Sequence, residues 1–509
     1  MSTTFTVTIK ATSITVFPGQ ESTQLLQPLL NLMMYEDEYV EETKTLGYIL
    51  DSDTDILYLH KGVDLNYLKR LLGDVEFIND PYDAFDEMEF EYEEIIPPRN
   101  DEQVDVINFI AGLNHHSSNV DKRQLFLVKD PGFGKTYCSG VGLCKFKVKT
   151  LIIMHRDSLR RQWLNSLYNM SGLSDRYVHE IVDSEELYEI AHNRHDFDYD
   201  VYLMTHATFR AGLKRIGNLK DASNIAKNLK IGFKIIDEVH LEFRSTLLID
   251  SLFNVCRNLY LTATDGRSSK DENAIFKHVF CNAEYYKPSV LLTANIPKKW
   301  VEYTIVEINT HCKPNIYRYK VAGGRGMNPA SYGKWVIAYD KKQTHFKVCR
   351  ELLKIIYERD DKAKVLLFMP LIDLCEDVAY FLTMGLNYDE SFPYDLNIKT
   401  INSNNTKAEN ERNKRADVIV TTISSCGTGT DIPGITDIIS CSPFVSKITA
   451  QQVFGRIRYC GKICHYYDIY DTSVQLDKFW IKSRSKKMKE MALKTNYISW
   501  TDDEVTDKE

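Results

Sequence analysis

Apolar and polar positions change period several times along this chain, and each change predicts a different element. Phe5 to Phe17 alternates apolar and polar residues, the period-two pattern of paired strands. From Ser22 to Met34 the residues Leu25, Leu26, Leu29, Leu30 and Met33 recur at helical spacing, and Asn66–Leu72 repeats the pattern over a shorter stretch. Leu46-Gly-Tyr-Ile-Leu and Ile56-Leu-Tyr-Leu-His flank Asp51-Ser-Asp-Thr-Asp and read as a hairpin-like pair. These elements predict a small α/β module. The acidic run from Asp80 to Glu94, followed by Pro97-Pro98, reads as a linker or domain boundary, although the alternation Glu89-Phe90-Glu91-Tyr92-Glu93 also allows a strand.

Beyond Pro98 the pattern becomes continuous apolar runs separated by helical segments. Leu125–Val128, Thr150–Met154, Val201–Met204, Phe233–Ile236 and Asn258–Leu261 form one set of strand candidates. Lys364–Met369, Asn397–Ile401, Val418–Thr421, Asp437–Ser440 and Tyr466–Ile469 form a second, after a strand-like stretch at Val301–Ile308. Short fully apolar strands alternating with helices predict mostly parallel sheets covered on both faces.

Composition bounds the function. At 509 residues, 43% hydrophobic and 26% charged, the chain has the make-up of a globular protein with several domains. No apolar run is long enough to cross a bilayer. The alternating N-terminus is expected to be a strand, not a secretion signal. Eleven cysteines without a C-x-x-C suggest reduced thiols and a cytoplasmic setting. Cys460, Cys464 and His465 lack a fourth ligand at zinc-site spacing. A net charge of −8 argues against a small basic DNA-binding module. Charge is nonetheless uneven: Arg210 to Lys234 carries seven Lys and Arg residues against one Asp. Such a run is ordinarily a solvated face.

The chemistry concentrates at Leu125–Thr136, LFLVKDPGFGKT. A buried strand, a glycine turn and a helix beginning at Lys135-Thr136 make an anion cradle, because the free N–H groups of a first helical turn point at phosphate oxygens. Gly132 and Gly134 permit close approach. Lys135 is the candidate cation for the β- and γ-phosphates of ATP, and Thr136 a candidate Mg²⁺ ligand. Lys129 stands where the strict phosphate-loop pattern has glycine. A second apolar strand ends in Asp237-Glu238-Val-His240. Carboxylates at the carboxyl end of a parallel strand suit Mg²⁺ binding by Asp237 and activation of water by Glu238.

KDPGFGKT, DEVH, LTATDGR and QVFGRIR, in this order, resemble a superfamily 2 helicase or translocase over roughly residues 96 to 475. The resemblance implies two tandem RecA-like parallel-sheet lobes, here preceded by a small α/β N-terminal domain. The expected division is 1–95, 96–285 and 286–509. It implies that Gln103 reads adenine, that Leu151–Trp163 is motif Ia with Arg156 near the nucleic-acid strand, and that Thr205 and His206 form part of motif Ib. His240, Thr262 and Thr264 are implied to couple hydrolysis to movement. Thr421, Thr422, Gly429 and Asp431 match motif V, the first two facing nucleic acid and the last two nucleotide. Gln452, Gly455 and Arg456 match Q-x-x-G-R, but Tyr459 replaces the expected final arginine and Arg458 lies one residue earlier. Either arginine could stabilise the transferring phosphate. If the helix continues, 456 and 459 share a face and Arg456 is the stronger candidate. Lys214 and Arg215, beside motif Ib, are expected to touch phosphates.

The layout further resembles phage recombination helicases of the UvsW type. That implies ATP-dependent unwinding or branch migration of DNA forks, junctions, D-loops or R-loops, with Mg²⁺, in a host cytoplasm, with recombination or replication proteins as candidate partners. An RNA helicase or transcript-release ATPase is the alternative. A nucleotide-gated scaffold without turnover and a restriction-complex motor are further ones. The N-terminal module reads equally as a nucleic-acid grip or as a protein-contact or stabilising element.

Overall fold

The computed structural model describes residues 4–37, 42–45, 47–80, 82–113, 121–129, 132–263, 266, 270–288, 299–312, 329–427, 432–444, 447–457, 460–501 and 504–507. The chain forms two compact units, Met1–Asn295 and Ile296–Glu509.

The first unit opens with strands β1 (Phe5–Ile9), β2 (Ser13–Phe17), β3 (Met34–Asp37), β4 (Glu42–Thr45), β5 (Tyr48–Asp51), β6 (Ile56–His60) and β7 (Val75–Asn79). Five of them make a mixed sheet in the order β5-β6-β2-β1-β7, and β3 and β4 pair separately. The predicted hairpins β1–β2 and β5–β6 are antiparallel. Phe5, Val7, Ile14, Val16, Leu57 and Leu59 pack against Leu26, Leu30 and Leu68. The expected helix over 22–34 is broken into Gly19–Leu25 and Gln27–Leu30, followed by a tight turn over Asn31–Met33. Pro28 explains the break: lacking an N–H, it is accommodated only in a first helical turn.

The acidic stretch is a docked strap. Lys149 N–H donates to Asp86 O and Met88 N–H to Lys147 O. The Asp200 carboxylate accepts from the N–H groups of Glu89 (2.9 Å) and Phe90 (2.8 Å). Met88 is buried, with Phe85, Phe90 and Tyr92 packed alongside. Residues 89–93 form no strand; the one bridge of this stretch, Glu87 to Val148, lies just before them. Apolar residues interleaved with the carboxylates hold the run to its lobe.

The lobe itself is seven parallel strands: β8 (Asp121–Val128), β9 (Thr150–Met154), β10 (Val178–Glu180), β11 (Val201–Thr205), β12 (Phe233–Asp237), β13 (Arg257–Thr262) and β14 (Ala283–Tyr285). Their order is β10-β11-β9-β12-β13-β8-β14. Leu125 and Leu127 enter one core and Phe126 the other; Ile235 and Ile236 divide the same way. Burial on both faces is why these strands read as unbroken apolar runs.

The second unit carries β15 (Val301–Ile308), β16 (Val365–Phe368), β17 (Ile398–Ile401), β18 (Val418–Thr421), β19 (Asp437–Ser440), β20 (Cys464–Asp471), β21 (Lys494–Thr501) and β22 (Glu504–Asp507). The order β17-β18-β16-β19-β20-β15-β21-β22 is parallel up to β21, and β22 is antiparallel. The helix Gln475–Met491 is pinned to β20 through the buried Arg484, which bonds Asp468 at 3.0 Å and Asp477 at 3.4 Å.

Candidate active site

Strand order brings the motifs of the first lobe together. β13 lies between β12 and β8, so Thr262 ends beside both Val128 and the Asp237 strand. Lys129 N–H donates to Thr262 O and Val239 N–H to Leu261 O, each at 3.1 Å. The loops after β8, β12 and β13 are thus knitted at their carboxyl ends, where parallel sheets bind ligands.

In the phosphate loop Gly132 and Gly134 have φ of 84° and 99°, which a side chain would strain. A Cβ on Gly134 would also meet Gln103 Nε2 at 2.6 Å. The helix Lys135–Phe146 follows directly. Lys135 Nζ donates to Lys129 O at 2.7 Å. The Lys129 side chain, at the divergent position, is ion-paired with Glu102. It also lies over the rings of Phe133 (5.0 Å) and Tyr286 (4.9 Å). A residue other than glycine is accommodated here because its side chain packs against that trio.

Gln103 is fully buried and holds the loop: its Nε2 donates to Phe133 O at 2.7 Å and its Oε1 accepts from Arg99 N–H at 2.8 Å. Arg99 Nη2 donates to the same Phe133 carbonyl at 2.8 Å and to Gly132 O at 3.2 Å. Sequence reading did not single out Arg99.

Asp237 closes β12. Its Oδ2 accepts from Trp163 Nε1 at 2.9 Å. Burial first, and then the Glu238 charge, push its carboxyl up to about 6, while Trp163 and Lys135 pull the other way. Glu238 has φ of 52°, and its Oε2 is buried without a hydrogen-bond partner among the described residues. His240 Nδ1 lies 3.4 Å from that oxygen, but its hydrogen bond is shared with Thr262 Oγ1 at 2.9 Å. Two of the three expected coupling residues therefore touch; Thr264 lies outside the described residues. Gln162 Nε2 reaches Thr136 Oγ1 at 3.5 Å. A hydroxyl and a carboxylate, from Thr136 and Asp237, are hard oxygen donors of the kind Mg²⁺ takes, so this pair suits that ion.

The expected nucleic-acid residues are dispersed in character. Arg156 is exposed at the N-cap of the helix Asp157–Ser171. Thr205 is buried and caps the helix His206–Ile216 by accepting from Thr208 N–H. His206 is fully buried, shares a 3.0 Å hydrogen bond with Ser245 and is held neutral by burial, its pKa lowered to about 3. Neither side chain meets solvent, because each serves the turn from strand to helix. The basic run is largely neutralised by carboxylates distant in sequence. Arg215 pairs with Glu185, Arg210 with Glu242 at 2.7 Å, Lys230 with Asp86 at 2.7 Å, and Lys234 with the buried Asp250 at 2.5 Å. Lys214 is exposed.

In the second unit Thr421 is buried and donates to Ile401 O at 2.6 Å, while Thr422 Oγ1 bonds the hydroxyls of Ser424 and Ser425, each at 2.9 Å. Gln452 is buried in the helix Lys447–Phe454. That helix ends before Arg456, which lies half-buried in the following turn. The helical-face comparison of positions 456 and 459 therefore has no helix to rest on. Gly429, Asp431, Arg458 and Tyr459 lie outside the described residues.

Residues 96–267 match the family model described as "Type III restriction enzyme, res subunit". No curated protein matches the chain. Among solved structures, S. cerevisiae Dbp5 bound to RNA and ADP BeF3 is similar, with a TM-score of 0.50 and 14% identity over 79% of this chain and 90% of that one. Mss116p bound to ssRNA and AMP-PNP gives a TM-score of 0.50 and 14% identity over 80% and 75%. At such identities the likeness is one of fold, the tandem RecA-like arrangement. Taken with the ResIII match to the motif-bearing residues 96–267, it supports a helicase-type ATPase of superfamily 2.

Proposed function

We propose that this ATPase drives the unwinding or branch migration of DNA forks and junctions. The carrying observation is the convergence of Lys135, Thr136, Asp237, Glu238 and the His240–Thr262 pair at the carboxyl ends of β8, β12 and β13. Lys135 neutralises phosphate charge. Thr136 and Asp237 would hold Mg²⁺, which when bound would polarise the terminal phosphate. Glu238 takes a proton from the attacking water; its Oε2 lacks a hydrogen-bonded hydrogen, which leaves a lone pair for that role. Gln103, itself buried, acts on the nucleotide through the phosphate loop that it fixes. In the second lobe, Gly429, Asp431, Gln452 and one of Arg456 and Arg458 are the residues assigned to nucleotide. His240, Thr262 and Thr264 relay the state of the phosphate site. Arg156 and Lys214 contact phosphates of the nucleic acid, which positions it without reading sequence. At Thr205, His206, Thr421 and Thr422, contact falls to the backbone, the side chains being engaged internally. Residues 1–95, 96–285 and 286–509 are the domains of this reading, and its setting is a cytoplasm.

The restriction-enzyme family match favours DNA. The RNA named in the Dbp5 and Mss116p structures favours the second reading, an RNA helicase or transcript-release ATPase. ATP turnover measured with duplex, fork, four-way junction and single-stranded RNA separates them. Greatest stimulation by fork or junction is expected; stimulation by RNA alone overturns the DNA reading. Lys135→Ala is expected to abolish turnover with the fold intact, as followed by circular dichroism. A folded variant hydrolysing at the parent rate would show the nucleotide site to be misassigned.

A further inference from the structure

We propose that the adjacent residues Gln162 and Trp163 form a positioning pair for the two oxygen donors of the metal site, a role that rests on the assignment of Thr136 and Asp237 above. Both residues belong to the helix Asp157–Ser171. Trp163 Nε1 donates to Asp237 Oδ2 at 2.9 Å, and Gln162 Nε2 reaches Thr136 Oγ1 at 3.5 Å, the outer limit of a hydrogen bond. Consecutive helical residues point about 100° apart. That angle lets Trp163 enter the core while Gln162 stays half-buried beside the phosphate-loop helix. One rigid element thereby touches the first turn after β8 and the end of β12.

Packing alone would ask less of this helix. Trp163 is among the largest fully buried side chains, enclosed with Ile152, Leu159, Leu167, Leu203 and Ile235. A phenylalanine would fill much of that space. The indole adds a single directional donor, and it is spent on the carboxylate that must present an oxygen to a cation. Fixing one carboxylate oxygen fixes the plane in which the other lies. Groups that orient ligands in this way set metal affinity without touching the metal.

Trp163→Phe keeps the ring and removes the N–H. Three quantities are measured on the full chain: fluorescent-ATP (mant-ATP) binding with Mg²⁺ and with EDTA, kcat and KM for ATP across a Mg²⁺ titration, and melting temperature. In Trp163→Phe the half-saturating Mg²⁺ concentration is expected to rise about tenfold. Binding of metal-free mant-ATP stays at the parent value, and kcat lost at low Mg²⁺ returns as Mg²⁺ is raised. Gln162→Leu moves the same quantities in the same direction by a smaller factor. A half-saturating Mg²⁺ equal to the parent's, or a loss of kcat that added Mg²⁺ does not restore, overturns the proposal. If Trp163→Phe fails to fold, Gln162→Leu decides by the same titration. Lys135→Ala, run in parallel, separates the two assignments: full turnover there discredits the nucleotide site itself, whereas a parent-like Mg²⁺ titration in Trp163→Phe discredits only the positioning pair.

Discussion

Glu238 combines a left-handed backbone, φ 52°, with a buried carboxylate oxygen that makes no hydrogen bond among the described residues. A non-glycine residue is held in that region only when its surroundings impose it, and an orphaned acceptor costs free energy; together they mark a side chain kept for chemistry. Glu238→Gln preserves shape and removes the base. It is expected to bind mant-ATP like the parent while turnover falls by about 10²- to 10⁴-fold. Loss of binding as deep as in Lys135→Ala would contradict the assignment. At this scale the sequence was informative about Lys135, Asp237 and Glu238, because a strand followed by glycine or acid fixes where such side chains emerge. It was uninformative about direction at Thr205 and His206. A motif gives a polar residue's position, but a helix cap and a buried Ser245 turned these two inward. Trp163 lies in the core, and its second role comes from a carboxylate 74 residues away.

Elements add what single residues cannot. The helix His206–Ile216 carries Arg210, Lys214 and Arg215, a positive run in one dimension that folding partly cancels. The partners Glu185 and Glu242 come from other segments, so no local count of charge could foresee them. An exposed ion pair contributes about 0 to 1 kcal/mol, and Arg215 is already engaged in one. Arg215→Ala should therefore leave nucleic-acid affinity nearly unchanged. Lys214→Ala should weaken binding to all sequences alike and reduce the slope of log affinity against log salt by about one. Fluorescence anisotropy at several salt concentrations checks both; equal effects from the two variants would restore the whole run as a binding face. Among strands, the long apolar runs were legible and the three-residue edges β10 and β14 were not, being too short to show a period. β21 was missed because its first three residues, Lys494-Thr495-Asn496, are all polar and show no period; it is placed by pairing with β15.

At the level of the whole molecule, the N-terminal module and the first lobe form one compact unit, and polar contacts weld them. Ala11 N–H donates to Asn254 Oδ1 at 3.0 Å, Thr12 Oγ1 donates to Asp250 O at 2.7 Å, and Gln124 Nε2 donates to Ala11 O at 2.8 Å. A Cβ on Gly62 would lie 1.9 Å from His278 O, so only glycine permits that approach. This seam left no periodic trace in the sequence, since it joins loops and strand ends. His60 sits in it, its ring 5.1 Å from that of His278 and its Nδ1 accepting from Gly62 N–H at 3.1 Å. Burial first, then the His278 charge, lower its pKa from 6.5 to about 3. The unfolded chain takes up a proton near pH 6.5 and the folded one does not until about 3, so stability falls as pH drops through that window. At pH 5 the loss from this residue is about 2 kcal/mol. Asp237 acts oppositely, since a carboxyl raised to about 6 in the folded state gains relative stability as pH falls. The total profile mixes both signs, and only a difference isolates the histidine. His60→Leu removes the titrating group while staying apolar. Urea unfolding at pH 7 and pH 5 is expected to show a smaller acid loss in His60→Leu than in the parent, by about those 2 kcal/mol. Equal losses in both proteins would mean that the seam opens to water before His60 must carry its charge.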